Sequence, residues 1–281
     1  MNNRTIQIMT KSPYEIPSLA KACRLLQLVA EHQGEWTATE LARAIETPRT
    51  TCFRMLQTLV QEKLILADGS SYRLGAGLVR LGLKTLEGLS IRRLCVPVLR
   101  ELAKTLGETV HLAILCDDRS LLLEVYDSPQ SQRVSSRPGS LVWLHASATG
   151  KVLLSHLDQG PRNELFTRLE MPALTPRSLT SPELLSAQFP AILEQGYAMD
   201  DEEYQHDYRC LAVPVKDGQG KVIAAIGLTS SPARLPYASI ASVISRMQEG
   251  SRVLSYNLPS TSEETGSKLK KPRKKRDKPA T

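Results

Sequence analysis

The sequence of 281 residues has no run of about 18 apolar residues, the length that a helix needs to cross a bilayer. Its first 20 residues also lack the apolar core of about 7–15 residues that a secretory signal contains, so we expect a cytoplasmic protein without membrane contact. Hydrophobic residues make up 41% of the chain, a fraction that excludes a disordered or collagen-like protein. The length exceeds the roughly 250 residues at which single cores stop growing, which favours two domains.

Cysteine is scarce and never paired along the chain. The five cysteines include no Cys-x-x-Cys pair, which excludes the common zinc and redox motifs. We expect four or five of them to be small buried hydrophobic residues, with Cys210 left open as a site residue.

Catalytic motifs are missing as well. Ser147 and Ser155 lie in no Gly-x-Ser-x-Gly turn, so nucleophilic catalysis has no support. Residues 148–151 (Ala-Thr-Gly-Lys) resemble a phosphate loop, but His145 stands where that loop needs glycine and Val152 where it needs Ser or Thr. We therefore predict a protein that is not an enzyme and that uses no cofactor.

The densest acidic group lies in residues 200–207, and it lacks the regular spacing of a calcium-binding loop. We expect no metal there. A solvated acidic loop and a wall of a ligand pocket both remain open as interpretations.

The net charge of +7 is concentrated at the two ends of the chain. Residues 1–88 carry +3, residues 89–261 carry −1 and the last twenty residues carry +5. Basic ends favour a polyanionic partner, whereas a neutral middle favours another task. Residues 260–281 form a tail that we expect to be disordered. The tail either adds nonspecific attraction to phosphates or is a solubilising extension without a role.

Three helices are predicted near the start. An apolar face at helical spacing begins after Pro17 and ends before Gly34; its members are Leu19, Ala22, Leu26 and Val29. Thr37 and Glu40 form the Thr-x-x-Glu pattern of a capping box, which predicts a second helix. Thr47 as N-cap, with proline at the first helical position, predicts a third helix over about 48–63.

The third helix has two different faces. Its apolar face is predicted to contain Cys52, Leu56, Leu59 and Val60. Its opposite stripe is polar but almost uncharged, with Thr51 beside it; the stripe consists of Thr50, Arg54, Gln57, Thr58 and Gln61. Hydroxyl, amide and guanidinium groups hydrogen-bond to phosphates and base edges, so two helices joined by a short turn indicate a helix-turn-helix.

A hairpin follows, with the turn signal Asp-Gly at residues 68–69 between two apolar runs. Three helices and a hairpin are typical of a winged helix-turn-helix. A structural or protein-binding three-helix module is the alternative.

The remaining chain is predicted to be an α+β domain. A leucine-rich helix begins near residue 77, and a second apolar face over 91–106 ends at Gly107, with a kink or a new helix start at Pro97. Strand pairs over 110–126 and 211–228 flank helices at 150–156 and 183–195, which favours an antiparallel sheet covered by helices.

The run from Leu25 to Gly75, which contains WTATELARAIETPRTTCFRMLQTLVQEKLILADGSSYRLG, resembles the IclR family of bacterial transcriptional regulators. Residues 144–155 (LHASATGKVLLS) and 196–230 resemble the effector-domain signatures of that family, with Gly196, Asp200, Glu203 and Cys210 in the characteristic order. The resemblance covers about residues 18–250. It implies an α+β fold: a winged helix-turn-helix over 18–76, a linker helix over 77–89 and a GAF-like effector domain over 90–255.

By this resemblance the third helix enters the major groove of DNA, and its contacts are predicted to be Arg49, Thr50, Thr51, Arg54 and Gln57. Thr37 and Thr39 are expected to touch phosphate at the preceding helix start, where anions are favoured. Tyr72 or Arg73 on the wing is expected to reach the backbone.

The effector pocket is likewise implied by the resemblance. The start of the helix through Lys151 presents free N–H groups at Ala148 and Thr149, which suit a carboxylate; an ordinary helix start is the alternative. The other predicted pocket residues are Val142, Asp200, Tyr208, Cys210, Gly227 and Thr229. Gly227 stands where the family more often has Ser, and Trp143 where it commonly has Pro, which we expect to enlarge and alter the pocket.

These observations predict a sequence-specific regulator of a catabolic operon, controlled by a small organic, aromatic or sugar acid. The expected partners are a double-stranded DNA operator and a second copy of the chain, as a homodimer or a dimer of dimers; RNA polymerase is a further candidate. An enzyme acting on a small carboxylic acid, and an adaptor that binds no DNA, are the alternatives.

Overall fold

A computed structural model describes residues 14–31, 36–128 and 137–258. The predicted helix stop at Gly34 and the basic tail 260–281 lie outside these residues. The chain divides into two compact units, Met1–Gly88 and Leu89–Thr281.

The described part of the first unit contains four helices and a small antiparallel sheet. In chain order its elements are α1 (Pro17–Glu31), β1 (Trp36–Thr37), α2 (Ala38–Ala44), α3 (Arg49–Gln61), β2 (Ile65–Asp68), β3 (Ser71–Leu74) and α4 (Ala76–Gly88). The sheet order is β1-β3-β2, so the predicted hairpin carries a short third strand. This arrangement confirms the predicted winged helix-turn-helix.

The face of α1 that packs on the core differs from the predicted face. Leu25 and Val29 are fully buried, whereas Leu19 is 60% exposed. The prediction counted Leu19 as a core residue, but Leu19 lies in the first turn of α1, where few core residues are close to it. Leu25 packs with Leu41, Leu56 and other residues of α2 and α3.

The start of α3 is also one residue later than predicted. Pro48 occupies the N-cap position and Arg49 is the first helical residue. The Thr47 hydroxyl caps nothing, because it accepts a hydrogen bond from Lys21 (2.6 Å) and donates one to the carbonyl oxygen of Ile45 (3.1 Å).

The second unit is a six-stranded antiparallel sheet between two helical layers. Its elements are α5 (Ser90–Leu106), β4 (Thr109–Cys116), β5 (Arg119–Tyr126), β6 (Leu141–Trp143), α6 (Ala148–Ser155), α7 (Gln159–Phe166), α8 (Pro182–Ser186), α9 (Phe189–Gln195), β7 (Ala198–Asp201), β8 (Arg209–Lys216), β9 (Val222–Ser230) and α10 (Tyr237–Asn257). The sheet order is β6-β5-β4-β9-β8-β7. This α+β architecture agrees with the prediction.

Each face of the sheet has its own core. Leucine, isoleucine and valine side chains of β4, β8 and β9 pack against α5 and α10. Alanines of β7, β8 and β9 pack against α6 and α9 on the opposite face. Because alanine is small, α6 comes close to that face of the sheet.

Two helix predictions need correction. Helix α5 continues through Pro97, so no new helix starts there. The predicted helix over 183–195 is two helices, α8 and α9, with Pro190 in the first turn of α9, where a missing N–H is tolerated. Gly107 ends α5 in the left-handed conformation (φ 69°), as predicted.

The cysteines are less buried than expected. Cys52 and Cys95 are buried, Cys116 and Cys210 are partly buried, and Cys23 is exposed on α1.

Candidate functional site

The outer face of α3 is the first candidate site. All five side chains predicted to contact DNA on this helix are exposed: Arg49, Thr50, Thr51, Arg54 and Gln57. The Thr58 hydroxyl, which belongs to the same stripe, donates a hydrogen bond to the Arg54 carbonyl oxygen (3.0 Å). Phe53 is 48% exposed at the edge of the stripe, so α3 also presents an apolar side chain that the polar pattern did not predict.

The turn before α3 is fixed by α1. Lys21 donates hydrogen bonds to the carbonyl oxygen of Glu46 (3.3 Å) and to the Thr47 hydroxyl. Glu46 adopts φ 48°, a conformation that favours glycine, and the ammonium group stabilises this strained residue. The pairing spans 25 residues, and helical periodicity could not reveal it.

The start of α2 has the predicted capping box. The Thr37 hydroxyl accepts from the backbone N–H of Glu40 (3.3 Å) and donates to its carboxylate (2.7 Å). The Thr37 backbone N–H also donates to this carboxylate (2.8 Å), and this bond, followed by that from the hydroxyl, holds the pKa of Glu40 below its usual value. The hydroxyl of Thr37 is therefore engaged in the cap, whereas Thr39 is exposed.

On the wing the structure distinguishes the two predicted residues. Tyr72 is only 6% exposed and packs in the core of the first unit, so the expected contact by Tyr72 is wrong. Alternate residues of a strand face opposite sides, and Arg73 is exposed, 3.5 Å from the Asp68 carboxylate.

The second candidate site is a cavity of about 260 Å³ in the second unit. Seven of the eight predicted effector residues line it: Val142, Ala148, Thr149, Asp200, Tyr208, Cys210 and Thr229. Sequence reasoning missed the other lining residues, which are His111, Leu122, Ser140, Leu141, Ser147, Tyr204 and Gln205.

Strand register places three polar side chains in a row on the cavity side of the sheet. Asp200 on β7 is opposite Cys210 on β8, and Cys210 is opposite Thr229 on β9. The Cys210 thiol lies 3.3 Å from the Thr229 hydroxyl. Burial raises the pKa of Cys210 well above its usual value, so the thiol stays protonated and can donate a hydrogen bond.

Asp200 is 1% exposed and is held by the chain that follows it. Its Oδ1 accepts hydrogen bonds from the backbone N–H groups of Glu203 (2.7 Å) and Tyr204 (3.2 Å). Burial, together with the nearby Glu203 carboxylate, raises the pKa of Asp200 to about 7, although the Lys151 ammonium opposes this shift. Near neutral pH this carboxyl group can therefore either donate or accept a hydrogen bond.

The start of α6 forms a further part of the cavity wall. Ser147 caps the helix, because its Oγ accepts from the Gly150 N–H (3.1 Å) and donates to the Trp143 carbonyl oxygen (2.7 Å). Within the described chain, no hydrogen bond uses the N–H groups of Ala148 and Thr149. Such groups favour an anion.

Close approach of α6 to the preceding chain requires glycine at position 150. A Cβ on Gly150 would lie 2.3 Å from the carbonyl oxygen of Leu144. The Thr149 hydroxyl lies 3.2 Å from that of Ser120, which ties the helix start to β5.

Gly227 does not line the cavity, contrary to the prediction. A Cβ at this position would lie 2.1 Å from Nε2 of His111, so the imidazole of β4 occupies the space above the glycine. The expected enlargement of the pocket is therefore wrong: a larger side chain fills the space of the missing hydroxymethyl group.

Trp143 does not line the cavity either. The guanidinium of Arg119 lies 3.5 Å from the centroid of its ring, and Arg119 also pairs with Asp118. The departure from Pro at position 143 thus builds a stacked pair rather than a pocket wall.

A buried ion pair lies beside the cavity. The Nζ atom of Lys151 on α6, which is fully buried, is 2.6 Å from Oε1 of Glu203 and 3.0 Å from Oε1 of Gln188. Sequence reasoning missed this pair because Lys151 appeared only in a rejected phosphate-loop motif. The pair joins α6 to the segment that holds Asp200.

Within the described ranges, no group of three or more His, Cys, Asp or Glu could hold a metal ion. No helix among those residues is both long and apolar enough to cross a membrane.

Comparison with known sequences decides the family. Residues 83–256 match the family model described as bacterial transcriptional regulator IclR C-terminal, and residues 18–69 match the IclR helix-turn-helix domain. The chain belongs to the IclR family of bacterial transcriptional regulators. The predicted resemblance is thereby confirmed.

Curated IclR-family relatives cover about four fifths of the chain or more. The HTH-type transcriptional regulator XynR of Escherichia coli K12 is 31% identical over 242 residues, which cover 85% of this chain and 96% of XynR. The regulator KdgR of Dickeya chrysanthemi is 33% identical over 223 residues, which cover 79% of this chain and 73% of KdgR. Both names describe transcriptional regulators rather than enzymes.

Solved structures of IclR-family proteins share the fold. A regulator from Alicyclobacillus acidocaldarius has a TM-score of 0.75 at 25% identity, over 86% of this chain and 99% of that one. An IclR homolog from Microbacterium hydrocarbonoxydans, solved with 4-hydroxybenzoate, has a TM-score of 0.74 at 24% identity, over 86% of this chain and 98% of that one.

Proposed function

We propose that this IclR-family regulator reads a DNA operator with the exposed face of α3 and that a small organic acid in the second unit controls the binding. The observation that carries the first half is the polar stripe of α3, which is exposed and nearly uncharged. An uncharged stripe gains little from general phosphate attraction, whereas Arg54 and Gln57 have the groups that read guanine and adenine in the major groove.

The other predicted contacts have separate tasks in this proposal. Arg49 at the start of the helix, Thr39 on α2 and Arg73 on the wing bind phosphate and set the orientation on the duplex. Thr50 and Thr51 offer exposed hydroxyl groups on the first turn of α3. Thr37 supports the site through the cap rather than by contact.

Self-association is part of the proposal. Val79 and Leu83 lie one helical turn apart on one face of α4 and are each more than half exposed, which is unusual for neighbouring apolar residues unless a partner covers them. A second copy of the chain would cover them in a homodimer or a dimer of dimers. Such a dimer would bind two half-sites about one helical turn apart, or a multiple of it.

The cavity supports the second half of the proposal. A cavity with a few convergent polar groups is typical of a small-molecule site. The free N–H groups of Ala148 and Thr149 suit a carboxylate, and Asp200, Cys210 and Thr229 offer hydrogen bonds to the rest of the ligand. A catabolic operon is the proposed target because such acids are common carbon sources.

A binding assay tests the DNA half. Duplexes selected from a random pool with the full chain would be titrated with wild type, Arg54→Ala, Arg73→Ala and the control Arg252→Ala, which removes an exposed arginine of the second unit. We expect Arg54→Ala to cost about 1–3 kcal/mol and to relax the sequence preference, and Arg73→Ala to reduce the salt slope by about 1. Equal affinity and preference for Arg54→Ala and Arg252→Ala would contradict the proposal.

A further inference from the structure

His111 is a polar group in the cavity for which the fold supplies no partner. The residue is 7% exposed and lines the cavity. Among the residues that the structure describes, neither ring nitrogen has a hydrogen bond; Nδ1 is wholly buried, which leaves Nε2 as the nitrogen that a ligand in the cavity can reach. Buried polar groups in proteins are nearly always paired, so an unpaired imidazole beside a cavity indicates a partner that enters from outside.

The surrounding strands hold the imidazole in place. His111 on β4 is directly opposite Gly227 on β9. Because Gly227 has no side chain, the ring lies over its Cα, where an added Cβ would clash at 2.1 Å. The pairing of His with Gly therefore builds a position for the ring rather than leaving it in a chance rotamer.

The ring is neutral in this environment. Burial lowers the pKa of His111 to about 4, so at neutral pH one ring nitrogen carries a hydrogen and the other has a lone pair. A neutral imidazole is a poor partner for an apolar ligand atom. It suits a hydroxyl group or a keto oxygen, each of which accepts a hydrogen bond.

The size of the cavity limits the ligand. A volume of 260 Å³ equals that of about nine water molecules at roughly 30 Å³ each. The ligand thus has on the order of six to ten non-hydrogen atoms, larger than a two-carbon acid. Its carboxylate would lie at the start of α6, near Ala148 and Thr149, which leaves His111 for another group of the ligand.

We propose that His111 selects carboxylic acids that carry a second oxygen, a hydroxyl or keto group, by hydrogen bonding to that oxygen. The inference rests on the proposed function, because it assumes that the cavity binds an acid. It adds the class of ligand and the residue that discriminates within that class. Without the oxygen, the ligand would leave the imidazole unpaired in a buried site, which sites built for a hydrogen bond reject.

Matched pairs of acids test the proposal. Dissociation constants of the full chain would be measured by titration calorimetry for benzoate against 3- and 4-hydroxybenzoate, and for pentanoate against 4-oxopentanoate. We expect the oxygen-bearing member of at least one pair to bind at least tenfold more tightly than its partner.

Two substitutions at one position separate hydrogen bonding from shape. His111→Phe keeps an aromatic ring but has no nitrogen, and it should reduce the ratio of the two dissociation constants within the pair to less than threefold. His111→Gln restores a donor and an acceptor and should recover part of the preference. The melting temperature of ligand-free His111→Phe should equal or exceed that of wild type, because an unpaired buried polar group is replaced by an apolar one.

The outcomes separate the two proposals. If plain and oxygen-bearing acids bind equally to wild type, or if His111→Phe keeps the preference, then the role of His111 is overturned while acid control stands. If none of these acids binds, the ligand class is overturned, and binding of the same preparation to its selected duplex shows whether the DNA-binding proposal survives.

Discussion

The buried pair of Lys151 and Glu203 gives a sharp prediction. Lys151→Met keeps most of the volume of the side chain but leaves the Glu203 carboxylate buried without a cation, with Asp200 nearby. Removal of one partner of a buried ion pair costs about 3–5 kcal/mol of unfolding free energy. For a unit of this size that loss lowers the melting temperature by roughly 6–20 °C. Lys216→Met, an exposed lysine on β8, is the matched control and should cost less than about 0.5 kcal/mol.

The loss should also depend on pH. Burial raises the pKa of Glu203, while Lys151 lowers it. In Lys151→Met the pKa of Glu203 in the folded state rises further. As the pH falls, the folded protein therefore binds a proton at Glu203 before the unfolded chain does. The loss of unfolding free energy relative to wild type should shrink accordingly. Urea unfolding of wild type and Lys151→Met, followed by circular dichroism at pH 7.5 and 5.5, would measure this difference in unfolding free energy. A deficit below about 1 kcal/mol at pH 7.5, or one that grows at pH 5.5, would refute the reasoning.

Three further predictions concern the cavity walls. The pKa of Asp200 is raised from 3.8 to about 7, so the stability that its protonated form contributes is lost as the pH rises from about 4 to 7. The unfolding free energy of Asp200→Asn should therefore increase relative to that of wild type by at most about 1.4 kcal/mol per pH unit over this range, as measured by denaturant unfolding. Gly150→Ala places a Cβ against backbone and should lower the melting temperature, whereas Gly160→Ala, with free space on α7, should raise it slightly; similar shifts would show that the approach of α6 is not tight. Gly227→Ala should cost about 1–3 kcal/mol of unfolding free energy because the added Cβ displaces the His111 imidazole, and a second substitution, His111→Ala, should recover most of that loss. If the losses from the two substitutions simply add, the packing argument is contradicted.

Local patterns predicted most of the fold. The capping box at Thr37, the hairpin turn at residues 68–69 and the left-handed cap at Gly107 are all present, because each depends on interactions within a few residues. Errors occurred where tertiary contacts decide. Leu19 has the spacing of a core residue but is exposed, and the hydroxyl of Thr47 serves Lys21 instead of a helix cap.

The candidate site was predicted to different degrees. Family resemblance named seven of the residues that line the cavity, yet it gave Gly227 the wrong role because the side chain that fills its space comes from another strand. The burial of Lys151 depends on Glu203, 52 residues away, and the unpaired state of His111 depends on the whole cavity. Neither feature can be inferred from the neighbouring sequence.

The central claim, that a ligand in the cavity controls DNA binding, is tested most directly by one measurement. The affinity of the full chain for its selected duplex would be measured by fluorescence anisotropy with and without a saturating amount of the tightest-binding acid among those named above. Allosteric coupling of the usual size predicts a change in affinity of about 5- to 150-fold, in either direction. An acid that saturates the cavity but changes the DNA affinity by less than twofold would contradict the account.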